Sequence, residues 1–213
     1  MIGKVKSLRA LFEIGLCYAY DCEQKLVKKG LPSMIENASS PELRTALEHH
    51  LAETRGHVAR LEHVFVALGS TPDTKDNEIL DKMMSAAKDS ISNIDDSPLR
   101  DCALIVNGNT VEHYEIAMYG SLAAFARRLG LQDAVAPLEP TLKEEKAADA
   151  KLSQIAETML NLKAARQSAD RERGRSSPVR PITYKASCNN GCVHGCGLRI
   201  RVPSDGVFKC VPD

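Results

Sequence analysis

The sequence predicts an all-α protein, a four-helix bundle built from two helical hairpins, with an irregular Cys-rich tail. Three observations carry this. Apolar residues recur at spacings of three and four as far as about residue 165, the period of helices that bury one face. Only 4% of residues are aromatic and none is Trp, in a chain whose Ala, Leu, Glu and Lys favour helices. Ser40-Pro41 and Ser97-Pro98 each read as an N-cap followed by a proline at the first helical position, where its missing N–H costs nothing.

Helix A runs from about Val5 to Lys29, and Gly30 and Pro32 bend or interrupt it before the Met34 segment. Helix B begins at Ser40-Pro41-Glu42 and ends at Gly69, before Pro72. A shorter helix covers Asn77 to Ile94. Helix C starts at Ser97-Pro98 and ends at Gly130. Helix D lies between about Asp133 and Ala165, and Pro137 and Pro140 unsettle its first turns. Residues 1–162 form the bundle, 163–187 a polar Arg/Ser-rich linker, and 188–213 the tail.

The 213 residues, 43% of them hydrophobic, leave room for one ordinary domain plus an appendage, or for two small domains. Equal numbers of basic and acidic residues, 28 each, exclude a strongly basic nucleic-acid binder or an acidic disordered chain as a whole-chain description. The balance hides a tail of +6 from Lys163 onward and a body of −6. The five Arg of the linker alternate with Asp and Glu and read as solvated. No run reaches the roughly 18 apolar residues of a membrane span. Lys4, Lys6 and Arg9 resemble the start of a signal peptide, but Glu13 breaks the apolar run and Leu16-Cys17-Tyr18 lacks small residues. A cytoplasmic protein is expected, with no membrane or nucleic-acid partner.

Carboxylates sit inside the apolar stripes, not opposite them. Helix A presents Phe12, Leu16, Tyr20, Glu23 and Val27; helix B presents His50, Glu53, His57, Leu61 and Val64. Helix C presents Ile105, Gly108, Glu112, Glu115 and Tyr119; helix D presents Leu142, Glu145, Asp149 and Leu152. An unpaired buried carboxylate costs several kcal/mol, and few Lys or Arg fall on these stripes, so a metal is the economical counter-charge. Glu23, Glu53, Glu112, Glu145 and Asp149, with His57 as a nitrogen ligand, suit two iron ions, with manganese as the variant. The pattern repeats. Glu23 precedes Glu53 and His57 by 30 and 34 residues, and Glu112 precedes Glu145 and Asp149 by 33 and 37. One Glu on the first helix of a hairpin and a pair one turn apart on the second is the four-helix di-iron carboxylate plan. Its usual Glu-x-x-His becomes Glu-x-x-x-His and Glu-x-x-x-Asp here, which still share a face. Glu115, one turn beyond Glu112, reads as a proton-delivering catalytic neighbour, a seventh ligand or an interhelical partner. His50 reads as a core residue or an outer partner of the ligands; His49, His63 and His113 read as surface residues.

The segments Cys22-Glu-Gln-Lys-Leu-Val27, Glu48-His-His-Leu-Ala-Glu-Thr-Arg-Gly-His57, Val111-Glu-His-Tyr-Glu-Ile-Ala117 and Leu142-Lys-Glu-Glu-Lys-Ala-Ala-Asp149 resemble the YciE/YciF-type ferritin-like stress proteins over roughly residues 5–162. The resemblance implies a ferritin-like bundle, often dimeric, with a di-metal centre. By position its ligands would be Glu23, Glu53, His57, Glu112, Glu145 and Asp149. Glu53 and Glu145 would bridge, and Glu23 and Glu112 would be terminal. Asn107-Gly-Asn109 in helix C, Pro137 and Pro140 depart from the family's usage, and the glycine costs roughly 1 kcal/mol of helix propensity.

The tail lies outside the resemblance. It reads Cys188-x3-Cys192-x3-Cys196-x13-Cys210 with His194 inside. Four thiolates suit zinc or an iron–sulfur cluster, although the spacing is not the common Cys-x2-Cys. Redox thiols, disulfides, a modified peptide carried by the bundle, or an inert tail are the other readings. Gly191, Gly195 and Gly197 argue for a loop. Two functions follow. The first is a di-iron oxidoreductase of stress defence, acting on ferrous iron with dioxygen or peroxide. The second is a non-catalytic binding or carrier protein whose tail does the work.

Overall fold

The computed structural model describes residues 4–175, 184–187, 197–201 and 209–211. The chain divides after Ala164 into two compact units. Among the described residues of the first, every regular element is a helix. Its elements are α1 (Leu8–Lys25), α2 (Leu31–Asn37), α3 (Pro41–Ala67), α4 (Glu78–Asn93), α5 (Ser97–Arg128) and α6 (Gln132–Ile155). A π turn, Ala156–Leu160, then joins α6 to α7 (Asn161–Arg175).

Side-chain caps start most of these helices. Ser7, Ser40, Asn77 and Asp96 each accept a hydrogen bond from the backbone N–H three residues on, satisfying a donor with no intrahelical partner. Asp96, not Ser97, caps the helix predicted to begin at Ser97-Pro98. Gly69 and Gly130 follow the ends of α3 and α5 at φ +72°, the left-handed conformation in which glycine alone is unstrained.

Three expectations change. Gly30 and Pro32 do not interrupt the first helix. The π turn Leu26–Gly30 absorbs them, and Leu31 N–H bonds to the Leu26 carbonyl, so the ring of Pro32 enters a locally widened turn. Pro137 and Pro140 lie inside a regular α6. The carbonyls they leave without a donor belong to Asp133 and Ala136, both exposed to water. Ala134, Val135 and Leu138 meanwhile pack into the core. The helix also continues through the start of the polar stretch read as a linker, to Arg175. Ala, Gln, Arg and Glu there are good helix formers despite the lack of an apolar period.

Among the described residues of the second unit, three short strands form an antiparallel sheet ordered β1 (Tyr184–Ser187), β2 (Gly197–Arg201), β3 (Lys209–Val211). The tail is therefore not irregular where it is described. Leu198-Arg-Ile-Arg201 alternates apolar and polar residues with the period of a strand. Cys210 lies in β3, opposite Ile200. Cys188, Cys192 and Cys196 lie outside the described residues.

The bundle core has two apolar clusters. One gathers Phe12, Leu16, Leu61, Val64, Leu122 and Leu138. The other gathers Leu26, Leu43, Leu47, Leu104, Leu152 and Ile155. In sequence, Glu23, His50, His57, Glu112, Glu115 and Glu145 fall between the two sets on their respective helices, so a polar band crosses the middle of the bundle.

Candidate metal centre

Helical spacing builds this band. His50 and His57 are two turns apart on one face of α3, and Glu112, Glu115 and Tyr119 follow at three and four on α5. Glu23 comes from α1 and Glu145 from α6. The four glutamates are at most 3% exposed, and His57 is fully buried.

Two groups of potential ligand atoms form, Glu23–His57–Glu145 and His50–Glu112–Glu145, each with its atoms within 4.8 Å of one another. Glu145 belongs to both. Its Oε1 lies 3.0 Å from His57 Nδ1, and its Oε2 lies 3.7 Å from His50 Nε2. Glu23 Oε1 lies 3.4 Å from His57 Nδ1, and Glu112 Oε1 lies 3.2 Å from His50 Nε2. One carboxylate thus stands between two histidine–glutamate pairs, as a bridge requires.

The donor set fits a pair of cations. Glu23 Oε2, Glu112 Oε2, Glu115 Oε2, both oxygens of Glu145 and His57 Nδ1 are buried without a hydrogen-bond partner. Buried polar atoms are almost always paired, so this concentration of orphans fits a place able to hold ions. His57 Nδ1 is close to Glu145 but lacks hydrogen-bond alignment, as two ligands of a common ion would.

Protons offset the charge otherwise. Burial pushes the Glu23 carboxyl up, takes Glu112 to about 7, and takes Glu115 well above the usual range, the last aided by the charges of Glu23 and Glu145. Burial opposes the charging of His57, but Glu145 and Glu23 outweigh it and raise the imidazole to about 10.

The surrounding contacts fix the ligands. His57 Nε2 lies 2.9 Å from Glu144 Oε2, and Glu144 is held by both terminal nitrogens of Arg60 at 2.5 and 2.9 Å. Arg60 also donates to Thr141 Oγ1. With the Nε2 proton given to Glu144, the Nδ1 lone pair faces Glu23 and Glu145, an arrangement common to metal-binding histidines. Tyr119 donates its hydroxyl to Glu23 Oε1. The buried Cys22 thiol lies 3.6 Å from Glu115 Oε1.

The predicted site residues divide. Glu23, His57, Glu112 and Glu145 come together in the two groups. Glu115 is buried against the band but outside both groups, its Oε1 taken by Cys22. Glu53 stands at the margin with 26% of its side chain exposed, next to His49 and His50. Asp149 pairs with His113 at 3.3 Å. His50, read from sequence as a core or outer residue, is gathered with Glu112 and Glu145 in one of the two groups. Its place seven residues before His57 was the available signal. Nothing in the one-dimensional pattern distinguished Glu144 from the other exposed-face acids.

Residues 7–165 match the family described as a domain of unknown function, DUF892. The chain is 33% identical to Protein YciF of Escherichia coli K12 over 161 residues, which is 75% of this chain and 96% of that protein. The crystal structure of the E. coli stress protein YciF superposes with a TM-score of 0.70 at 32% identity, covering 74% of this chain and 99% of that one. The Rhodopseudomonas palustris protein YcfI gives 0.69 at 38% identity, covering 72% and 97%. The matched segment contains every member of the buried Glu/His band, and the chain belongs to this YciF-type DUF892 family.

Proposed function

We propose that this protein is a di-iron carboxylate protein that oxidises ferrous iron with dioxygen, or reduces peroxide, in stress defence. The observation that carries the reading is Glu145, buried between two His–Glu pairs with one oxygen toward each. Carboxylate oxygens with imidazole nitrogen suit iron or manganese. Kinship to a stress protein supports the physiological side.

Glu23 and His57 would hold one ion, Glu112 and His50 the other, with Glu145 shared. Glu53 and Asp149 stand at the margin as reserve carboxylates. When bound, two ferrous ions supply one electron each to an O–O bond. The chain's own residues do the rest. Glu144 and Arg60 fix the His57 ring. Tyr119 orients Glu23. Glu115, kept protonated by burial and its anionic neighbours, holds a proton beside the centre. The two apolar clusters on either side of the band keep bulk water from it. The same reading takes the protein to be a cytoplasmic homodimer, testable by light scattering.

Aerobic addition of ferrous iron should give near-ultraviolet ferric absorption at two irons per chain. Glu145→Ala and His57→Ala variants, verified as helical by circular dichroism, should lose the fast phase. A time course in both variants identical to the parent's would overturn the assignment.

A further inference from the structure

A half-open groove of about 780 Å³ runs between α3 and α6, within the range of small-molecule sites. Leu47, Leu152 and Ile155 form its buried floor, and the small side chains of Ala46 and Ala148 keep its walls low. It follows α3 from Pro41 to Glu53, which at the helical rise is about 18 Å. Its ends differ. Thr158 lies at the far end, opposite the start of α3, and His50 and Glu53 lie at the near end. His50 is only 6% exposed, its Nδ1 faces Glu53 Oε2 at 3.6 Å, and its Nε2 side belongs to the Glu112–Glu145 group. The groove is thus an apolar trough that stops against the His50 side of the candidate metal centre.

We propose that this groove binds a single-chain amphiphile, an unbranched alkyl chain with an uncharged hydrogen-bonding head such as a hydroxyl or hydroperoxyl, lying head-first against His50 and Glu53. The floor is apolar along its length, and about 18 Å accommodates an extended chain of roughly a dozen carbons. A carboxylate head would meet the ionised, partly exposed Glu53, and Lys151, the cation of the lining, lies along the flank one turn beyond Ala147. A neutral hydroxyl or hydroperoxyl meets no such repulsion and can donate a hydrogen bond to the partly exposed Glu53 carboxylate. A second copy of the chain fits less well. A stable interface takes about 800 Å² per partner, and the exposed large apolar side chains Val66, Ile79, Leu99 and Val106 lie outside the groove. What the head meets rests on the metal-centre reading; occupation of the groove does not.

The test titrates 1-octanol, 1-decanol and 1-dodecanol into metal-free full-length protein by calorimetry. Saturable one-to-one binding is expected, tightening about three- to fourfold per added methylene. Ala46→Phe, which fills the wall, should weaken all three at least about tenfold. Thr158→Trp, which plugs the far end, should weaken dodecanol more than octanol. Thr158 is exposed and Ala46 is half-buried against the second apolar cluster, so unchanged circular dichroism and melting temperature must certify the fold of each variant. In manganese-loaded protein, paramagnetic relaxation should be stronger at the alcohol's head methylene than at its terminal methyl. No saturable binding, or binding untouched by both variants, overturns the proposal and leaves the metal reading standing if the parent still takes up two ions. Stronger relaxation at the methyl overturns the head-first placement. Loss of dimerisation in Ala46→Phe without alkanol binding assigns the groove to a second copy and overturns the proposal. Alkanol binding by a protein that takes up no metal leaves the groove standing and removes the metal reading.

Discussion

His57 shows how much of the centre depends on a residue that ligates nothing. Its Nε2 faces Glu144, which the Arg60 guanidinium holds at two nitrogens. Glu144→Ala should free the ring to rotate or change tautomer and weaken metal uptake about 10- to 100-fold, measured by competition with a chelator. Arg60→Met should give a smaller loss, because Glu144 keeps its contact with His57. Equal affinity in Glu144→Ala and the parent would mean that the ring is held by packing alone. Glu23, His57, Glu112 and Glu145 were legible in the sequence because a carboxylate or imidazole on an apolar stripe is conspicuous. His50 shared that stripe, but whether its ring reaches Glu112 or merely fills core depends on how α3 and α5 are rotated against each other, which periodicity does not set. Glu53 stands outside both groups for the complementary reason. It lies three residues after His50 on the same helix, yet the rotation of α3 leaves a quarter of it in water.

At the scale of an element, the prolines of α6 test how far packing overrides propensity. Pro140 is exposed and sits well inside a 24-residue helix. Pro140→Ala restores a donor to the Ala136 carbonyl and should stabilise the protein by about 2 kcal/mol, read from the denaturation midpoint. No gain would show that the early turns of α6 are held at their energetic optimum by Ala134, Val135 and Leu138. The Asn107-Gly-Asn109 departure in α5 also has a local reason. A Cβ at Gly108 would lie 2.9 Å from Leu152 Cδ1 and 3.3 Å from Met34 Cε, and Asn109 donates to Ser153 Oγ at 3.0 Å. The lost propensity permits close approach of α5 to α6. Helix boundaries were readable from the Ser40 cap, the prolines Pro41 and Pro98 in the first turns, and the terminal glycines. The π turn before Pro32 was not, because its cause is a clash that exists only once the helix continues.

For the whole molecule, the polar band couples stability to protons and metal. Glu112 rises from 4.5 to about 7 and His57 from 6.5 to about 10 on folding. A raised folded value means that the native state binds more protons than the unfolded one, so the stabilisation is complete below the unfolded value and lost as pH climbs through the folded value. Metal-free protein should therefore lose stability steadily between about pH 5 and pH 10, visible as a falling melting temperature, and added ferrous or manganous ion should reverse the trend at the alkaline end. Metal uptake should release protons, measured with an indicator in weak buffer. A flat melting profile across that range would contradict the charge assignment. The bundle was legible at this scale from composition and period, whereas the sheet that begins at Tyr184 was hidden because its strands are only three to five residues long. The separation of the apolar core into two clusters has one more consequence. The long helices are gripped above and below a polar waist, so removing ions bound at that waist should leave slow amide exchange at both grips and quicken it only in between, a protein that loosens at its middle without coming apart.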